Sequence, residues 1–168
     1  MIVGYTQGTY DLFHVGHLNL LENAKKQCDY LIVGINSDDL VKDYKGKIVN
    51  IHDEDRARIV GSLKCVDEVH VIDTLDKIEA LEKFHYDVIF IGSDWKGNPR
   101  WEQTKKDIES RGKKLIFLPH TDGISTTDLT ARVKANPVYV KLESNVQPRQ
   151  KNPFAKLFRK ASLSWSTK

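Results

Sequence analysis

Gly8-Thr9-Tyr10-Asp11-Leu12-Phe13-His14-Val15-Gly16-His17 is the stretch on which the reading of this chain turns. Ahead of it, Met1-Ile2-Val3-Gly4-Tyr5-Thr6 reads as a short apolar strand. Behind it, Leu18, Leu20, Leu21 and Ala24 recur at helical spacing. A glycine-containing turn therefore joins a strand to a helix, and two histidines three residues apart fall in the helix's first turn. That spacing points both imidazoles the same way. The unpaired N–H groups and the positive dipole end lie beside them, which suits phosphate oxygens.

Working outward, Tyr30 to Asn36 is a nearly continuous apolar run, as expected of a strand buried on both faces of a parallel sheet. Ser37-Asp38-Asp39 reads as a short turn, and Lys42 to Lys47, polar with Gly46, as a mobile surface loop. Asp53 to about Leu63 reads as a helix with an acidic start. Further strands are expected at Glu68 to Ile72, Asp87 to Gly92 and Lys114 to Pro119. Helices are expected at Leu75 to Phe84, Trp101 to Ser110 and Ser125 to Lys134, with a loop from Ser93 to Arg100. Alternating strands and helices give an α/β domain with a parallel sheet of about five strands. We place that domain at residues 1–135, with one more possible strand at Val138 to Leu142 and a basic extension at 136–168.

The chain has 168 residues, 40% hydrophobic and 29% charged, which fits one globular domain. No apolar run is long enough to span a bilayer, and no cleavable leader pattern opens it. A cytoplasmic location is the expectation. Cys28 and Cys65 suit no zinc site and read as reduced thiols. Net charge is +3, yet the residues from Ser144 onward hold six Lys and Arg and no acid, leaving −3 on the first 143. A slightly acidic body argues against nucleic acid as partner. The extension's Phe154, Leu157 and Phe158 among Lys156, Arg159 and Lys160 fit a solubilising tail, or an element docking on a membrane surface or partner protein.

In an open parallel sheet, ligands bind beyond the carboxyl ends of the strands. The Gly8 to His17 turn, Ser37 to Lys47, Ser93 to Trp101 and His120 to Thr127 all fall there. His14 and His17 are open to three readings: surface residues, metal ligands without an evident third partner, or donors to a phosphate chain, with Gly16 leaving room for it. Ser125-Thr126-Thr127 after Gly123 is a second hydroxyl-rich helix start, or a plain N-cap. Lys45 and Lys47 are solvated charges or a closing loop. Arg56 can fork onto phosphate or pair with Asp53.

Two of these segments resemble the signatures of the cytidylyltransferase-like nucleotidyltransferase superfamily. Gly8 to His17 is similar to its His-x-Gly-His motif, and Thr121-Asp122-Gly123-Ile124-Ser125-Thr126-Thr127 to its second signature. Val66-Asp67-Glu68-Val69 and Gly92-Ser93-Asp94-Trp95-Lys96-Gly97 resemble segments of its glycerol-3-phosphate cytidylyltransferase branch, and the likeness covers about residues 1–134. The resemblance implies a Rossmann-like, doubly wound, three-layer α/β/α fold and a cytoplasmic homodimer. It implies transfer of CMP from CTP to glycerol 3-phosphate or a similar small phosphomonoester, releasing pyrophosphate, in the supply of cell-surface polymer precursors.

By the same resemblance, His14, His17 and Lys47 are catalytic. Gly8, Thr9, Asp11, Gly16, Lys45, Asp94, Trp95, Gly123, Ile124, Ser125 and Thr126 bind the nucleotide. Asp38, Arg56, Lys64 and His120 are assigned to the substrate. Mg²⁺ accompanies CTP without a dedicated protein cage. His120 and Lys64 stand where the superfamily usually has arginine, which leaves the acceptor open. Phosphocholine, phosphoethanolamine, another polyol phosphate, or a sugar phosphate with ATP are the alternatives, and a non-catalytic nucleotide-binding regulator is the remaining one.

Overall fold

A computed structural model describes residues 1–136. Its elements follow the expected alternation: β1 (Val3–Gly8), α1 (Val15–Lys25), β2 (Tyr30–Asn36), α2 (Asp38–Lys45), α3 (Asp53–Gly61), β3 (Glu68–Ile72), α4 (Lys77–Phe84), β4 (Val88–Gly92), a 3₁₀ turn (Ser93–Trp95), α5 (Pro99–Ser110), β5 (Lys114–Leu118) and α6 (Thr126–Ala135). The five strands are parallel in the order β3-β2-β1-β4-β5. The chain winds outward from β1 to β3, then crosses back to β4. The switch point therefore lies between β1 and β4. The expected Val138–Leu142 strand and the basic extension lie outside the described residues. Among the described residues no helix is long and apolar enough to cross a membrane.

Alternating side chains divide between two cores. On one face, Leu31, Val33 and Ile35 pack with Leu21 and Ala24 of α1 and Ala57 and Val60 of α3. On the other, Tyr5, Ile32 and Ile89 pack with Ala80 and Leu81 of α4 and Ile108 of α5. Both faces are covered, so β2 is buried from Leu31 to Asn36.

One expected loop is a helix. Ser37 Oγ accepts from the Leu40 N–H and starts α2, Asp38 and Asp39 sit in its first turn, and Lys42 and Lys45 in its last. Gly46, at φ +60°, closes it in left-handed backbone. Only Val41 of this helix is buried. Its order comes from caps and charge placement, which leave little apolar periodicity to read. Elsewhere α4 begins at Lys77 because the Asp76 carboxylate caps the Ile78 and Glu79 N–H groups.

Gly34 has a packing reason. A Cβ there would lie 2.5 Å from the Tyr5 hydroxyl. That hydroxyl crosses β2 and donates to Gln7 Oε1 at 2.9 Å. Gly34→Ala is expected to cost roughly 1–3 kcal/mol by overpacking, read as a lower urea midpoint. An unchanged midpoint would show that Tyr5 can step aside.

Candidate active site

The ladder between β1 and β4 stops at Thr6 opposite Phe90, where Thr6 Oγ1 donates to the Phe90 carbonyl at 3.0 Å. β1 runs on to Gly8 and β4 to Gly92, so a crevice opens between them. It forms a cleft of about 280 Å³.

Gly8 and Thr9 end β1 in the cleft wall, and Tyr10 and Leu12 follow at φ +53° and +45°. Such backbone costs on the order of 1–3 kcal/mol per bulky residue. Asp11, buried between them, supports it. Its carboxylate accepts from the N–H groups of Leu12, Asn50 and Ile51 and from Asn50 Nδ2, at 2.8 to 3.0 Å. Its carbonyl accepts from Thr126 Oγ1 at 2.9 Å. Asp11 thus fastens the turn to the starts of α3 and α6. It does not line the cleft as expected, because its oxygens are already taken.

His14 is the N-cap of α1, and its Nδ1 accepts from the Gly16 N–H at 3.1 Å. In the neutral ring the proton then sits on Nε2, as a donor. His17 stacks on His14 with ring centroids 3.8 Å apart, and Tyr10 meets it edge-on. His17 Nδ1 is buried without a partner. Burial, reinforced by His14, holds the His17 imidazole down to about 4, with Asp11 pulling upward and Lys45 pressing the same way as His14. Burial and His120 lower His14 as well. Both shifts favour the neutral ring.

A Cβ on Gly16 would meet the His14 ring at 2.9 Å and Ile124 at 3.5 Å, so the α1 start is packed against the loop into α6. Asn19 Nδ2 donates to Thr121 Oγ1 at 3.1 Å, closing the same seam. Ser125 caps α6 by accepting from the Asp128 N–H, after Gly123 at φ +79°. Ile124, Ser125 and Thr126 line the cleft beside His14 and His17. Two helix N-termini, each with unsatisfied first-turn N–H groups, therefore face one space.

The opposite wall carries Asp94 and Trp95, with Trp95 tilted on Trp101 at 6.3 Å. His120 stands at the mouth, exposed, its N–H on Ser93 Oγ. Lys45 Nζ reaches Thr9 Oγ1 at 3.2 Å. Lys47, in the exposed segment after Gly46, is not brought to the cleft, and Gly123 is exposed outside its lining.

Three residues expected at the substrate lie elsewhere. The Arg56 side chain is 0% exposed; it donates to the Thr9 and Ile51 carbonyls and, at 2.6 Å, to Asp38 Oδ1. The pairing with Asp53 is not formed either. Asp53 Oδ2 instead accepts from the Asp38 N–H, and Asp38 Oδ1 from the Asp53 N–H. Asp38 and Arg56 are thus a buttress between α2, α3 and the β1 turn. Lys64 is exposed between α3 and β3, outside the cleft lining.

Sequence reasoning missed Gln7, Lys77 and Trp101. Gln7 accepts from Tyr5 Oη and Lys77 Nζ and donates to Asn36 and the Thr74 carbonyl. Lys77 is 6% exposed, with Nζ 6.0 Å from the Trp101 ring. Burial, then Arg100, pushes its ammonium down to about 7. Gln7 and Trp101 line the cleft. A glutamine near the carboxyl end of an apolar strand was a usable signal; Lys77 looked like any helix-surface lysine.

Among the described residues no His, Cys, Asp and Glu cluster is arranged to hold a metal ion. Asp94 is the carboxylate in the cleft wall.

The chain is similar to known proteins over most of the described residues. The family described as Cytidylyltransferase-like matches residues 5–132. The chain is 40% identical over 125 residues to glycerol-3-phosphate cytidylyltransferase of Bacillus spizizenii, covering 74% of this chain and 91% of that protein. It is 37% identical over 132 residues to bifunctional protein HldE of Hyphomonas neptunium, covering 77% of this chain and 26% of HldE. The chain thus spans about a quarter of that relative's length. The crystal structure of the lipopolysaccharide core biosynthesis protein from Thermoplasma volcanium shares the fold, with TM-score 0.62 and 24% identity over 74% of this chain and 99% of that one. With the crevice at the switch point, the paired histidines and this match over most of its length, the chain belongs to the cytidylyltransferase-like family and is a nucleotidyltransferase.

Proposed function

We propose that the protein transfers CMP from CTP to glycerol 3-phosphate or a similar small phosphomonoester and releases pyrophosphate. The observation that carries this is the pair of helix starts, α1 with its stacked histidines and α6 with Ser125, converging on the β1–β4 crevice. The 40% match to a protein named glycerol-3-phosphate cytidylyltransferase supports this choice of substrates.

In this reading an acceptor phosphate oxygen attacks the α-phosphorus in line, and negative charge grows on the equatorial oxygens and the departing pyrophosphate. The nucleophile is already ionised, so no general base is needed. Donors placed beforehand supply the rate. His14 Nε2–H and the His17 ring stabilise the reacting phosphate. The first-turn N–H groups of α6 hold the leaving group. Lys45 sits at the edge, and Lys47 reaches the phosphates only if the 46–52 segment closes. Asp94 and Trp95 contact the ribose and base. Mg²⁺, when bound with CTP, neutralises phosphate charge. With a single wall carboxylate, Asp94, it fits as an ion carried by phosphate oxygens and water.

Gln7 and Trp101 form the acceptor end, with Lys77 behind Gln7. A dianionic phosphate on the Gln7 side would favour the charged form of the Lys77 amine. Lys77→Met is therefore expected to raise the acceptor KM about tenfold, the scale of one charged hydrogen bond, with little change in the CTP KM. A rise confined to CTP would move Lys77 to the nucleotide.

The HldE match supports a second reading, a sugar phosphate as acceptor. Pyrophosphate release measured with CTP and ATP crossed against glycerol 3-phosphate, phosphocholine and hexose or heptose 1-phosphates separates them. No release with any pair would overturn both.

A further inference from the structure

We propose that this cleft binds polyphosphate together with protons, and that His120 is the residue through which the chain takes one of them up. The inference rests on the cleft being the polyphosphate site of the preceding section. It starts from what the walls hold: three imidazoles, His14, His17 and His120, one carboxylate, Asp94, and no lysine or arginine among the described lining residues. The nearest lysines stand aside. Lys45 is on Thr9 at the rim, and Lys77 is behind Gln7, buried, with its amine pushed down to about 7.

A triphosphate brings several negative charges into this space. Each helix N-terminus answers with only about half a positive charge. Beyond Lys45 at the rim and any cation carried by the phosphates, groups that charge on binding supply the rest. An anion within a few ångströms raises the proton affinity of an imidazole, and histidine is the side chain whose charge changes between pH 5 and 8. Burial and His120 lower His14, and burial, His14 and Lys45 lower His17, so both rings resist protonation before the anion arrives. Asp11 acts on His17 in the opposite sense. Asp94 faces the same cleft, and Asp122 lies two residues beyond His120 in the chain.

His120 differs from the other two. It is exposed, so water solvates either form of the ring, and it is close enough to His14 to repel it when charged. Its position is fixed by its N–H on Ser93 Oγ at 3.1 Å, which ties the end of β5 to the 3₁₀ turn. A phosphate chain between His14 and His120 turns their repulsion into shared attraction for one anion. The proton moves from buffer to imidazole as the anion arrives.

Inorganic tripolyphosphate tests this without base or acceptor. Isothermal titration calorimetry of the full chain at pH 7.5, in buffers of different ionisation enthalpy, reads the protons taken up. Wild type is expected to gain about one proton, and its affinity to weaken up to about tenfold per pH unit between 7.5 and 8.5, the slope for one linked proton. Both His120→Arg and His120→Gln are expected to cut the uptake by about half or more. His120→Arg is expected to bind more tightly than wild type at pH 8.5, and His120→Gln more weakly at pH 7. The site is exposed, so both variants fold. Absence of tripolyphosphate binding, no uptake in wild type, or equal uptake in all three proteins would overturn the inference. CTP turnover in wild type tests the parent reading separately. Pyrophosphate release without proton uptake sinks this inference alone. Uptake without pyrophosphate release from any nucleotide sinks the transferase reading alone.

Discussion

The His17→Ala enzyme is expected to turn over at least about 100-fold more slowly, the scale of losing one pre-placed donor to a developing oxyanion. The mechanism predicts that kcat falls while the KM values for nucleotide and acceptor move little. The fold should lose far less than turnover does at neutral pH, because ring packing on His14 and Tyr10 goes but no hydrogen bond through the buried Nδ1 is lost. Under acid it should improve. A histidine held down to about 4 when folded, but near 6.5 when unfolded, stabilises the protein above pH 6.5. That contribution is lost as pH falls from 6.5 towards 4. The loss amounts to a few kcal/mol, because each tenfold change in proton affinity is worth on the order of 1.4 kcal/mol. The variant lacks this proton sink, so its stability should fall less steeply across that window. Equal slopes would show the ring is already solvated. A stability loss at pH 7 matching the loss of turnover would make His17 a structural residue.

Replacing Arg56 with methionine gives the largest expected loss of stability, about 3–5 kcal/mol, the range for removing one partner of a buried ion pair. The guanidinium is fully enclosed; its loss removes the donor to the Thr9 and Ile51 carbonyls and leaves Asp38 Oδ1 with the Asp53 N–H alone. Urea denaturation measures it. Asp38→Asn should cost less, since its carboxylate is 29% exposed and its Oδ1 can still accept. If Arg56→Met keeps its stability but loses affinity for CTP, the side chain turns to ligand in solution and the buttress is wrong.

These two residues show which parts of the site were readable. His14 and His17 announced themselves because an N-cap and its first turn are local: residue type, spacing and the following apolar helix lie within ten positions. The α6 start at Ser125 was legible for the same reason. The parallel sheet was legible because Tyr30 to Asn36 and Val88 to Ile91 are apolar without alternation. Arg56 was not. Its partners are Thr9, Ile51 and Asp38, and nothing local says whether an arginine on a helix turns outward or inward. Asp11 has the same difficulty, since its ligands lie at Asn50 and Ile51. Lys77 comes to lie behind the cleft wall, on Gln7, only because the crossover after β3 carries α4 past β1 to the far face. The α2 helix was missed because caps and charges hold it while apolar residues hardly do.

The clamp centred on Asp11 separates what can be varied from what cannot. It joins three segments that approach the cleft, so a change there shifts every phosphate contact at once. Gln7 and Trp101 line the crevice away from it, with Lys77 behind Gln7, and none of the three bonds Asp11 directly. On the proposed reading, a directed-evolution library confined to those three positions is expected to change acceptor preference more than nucleotide affinity, and KM values for both substrates measure the split.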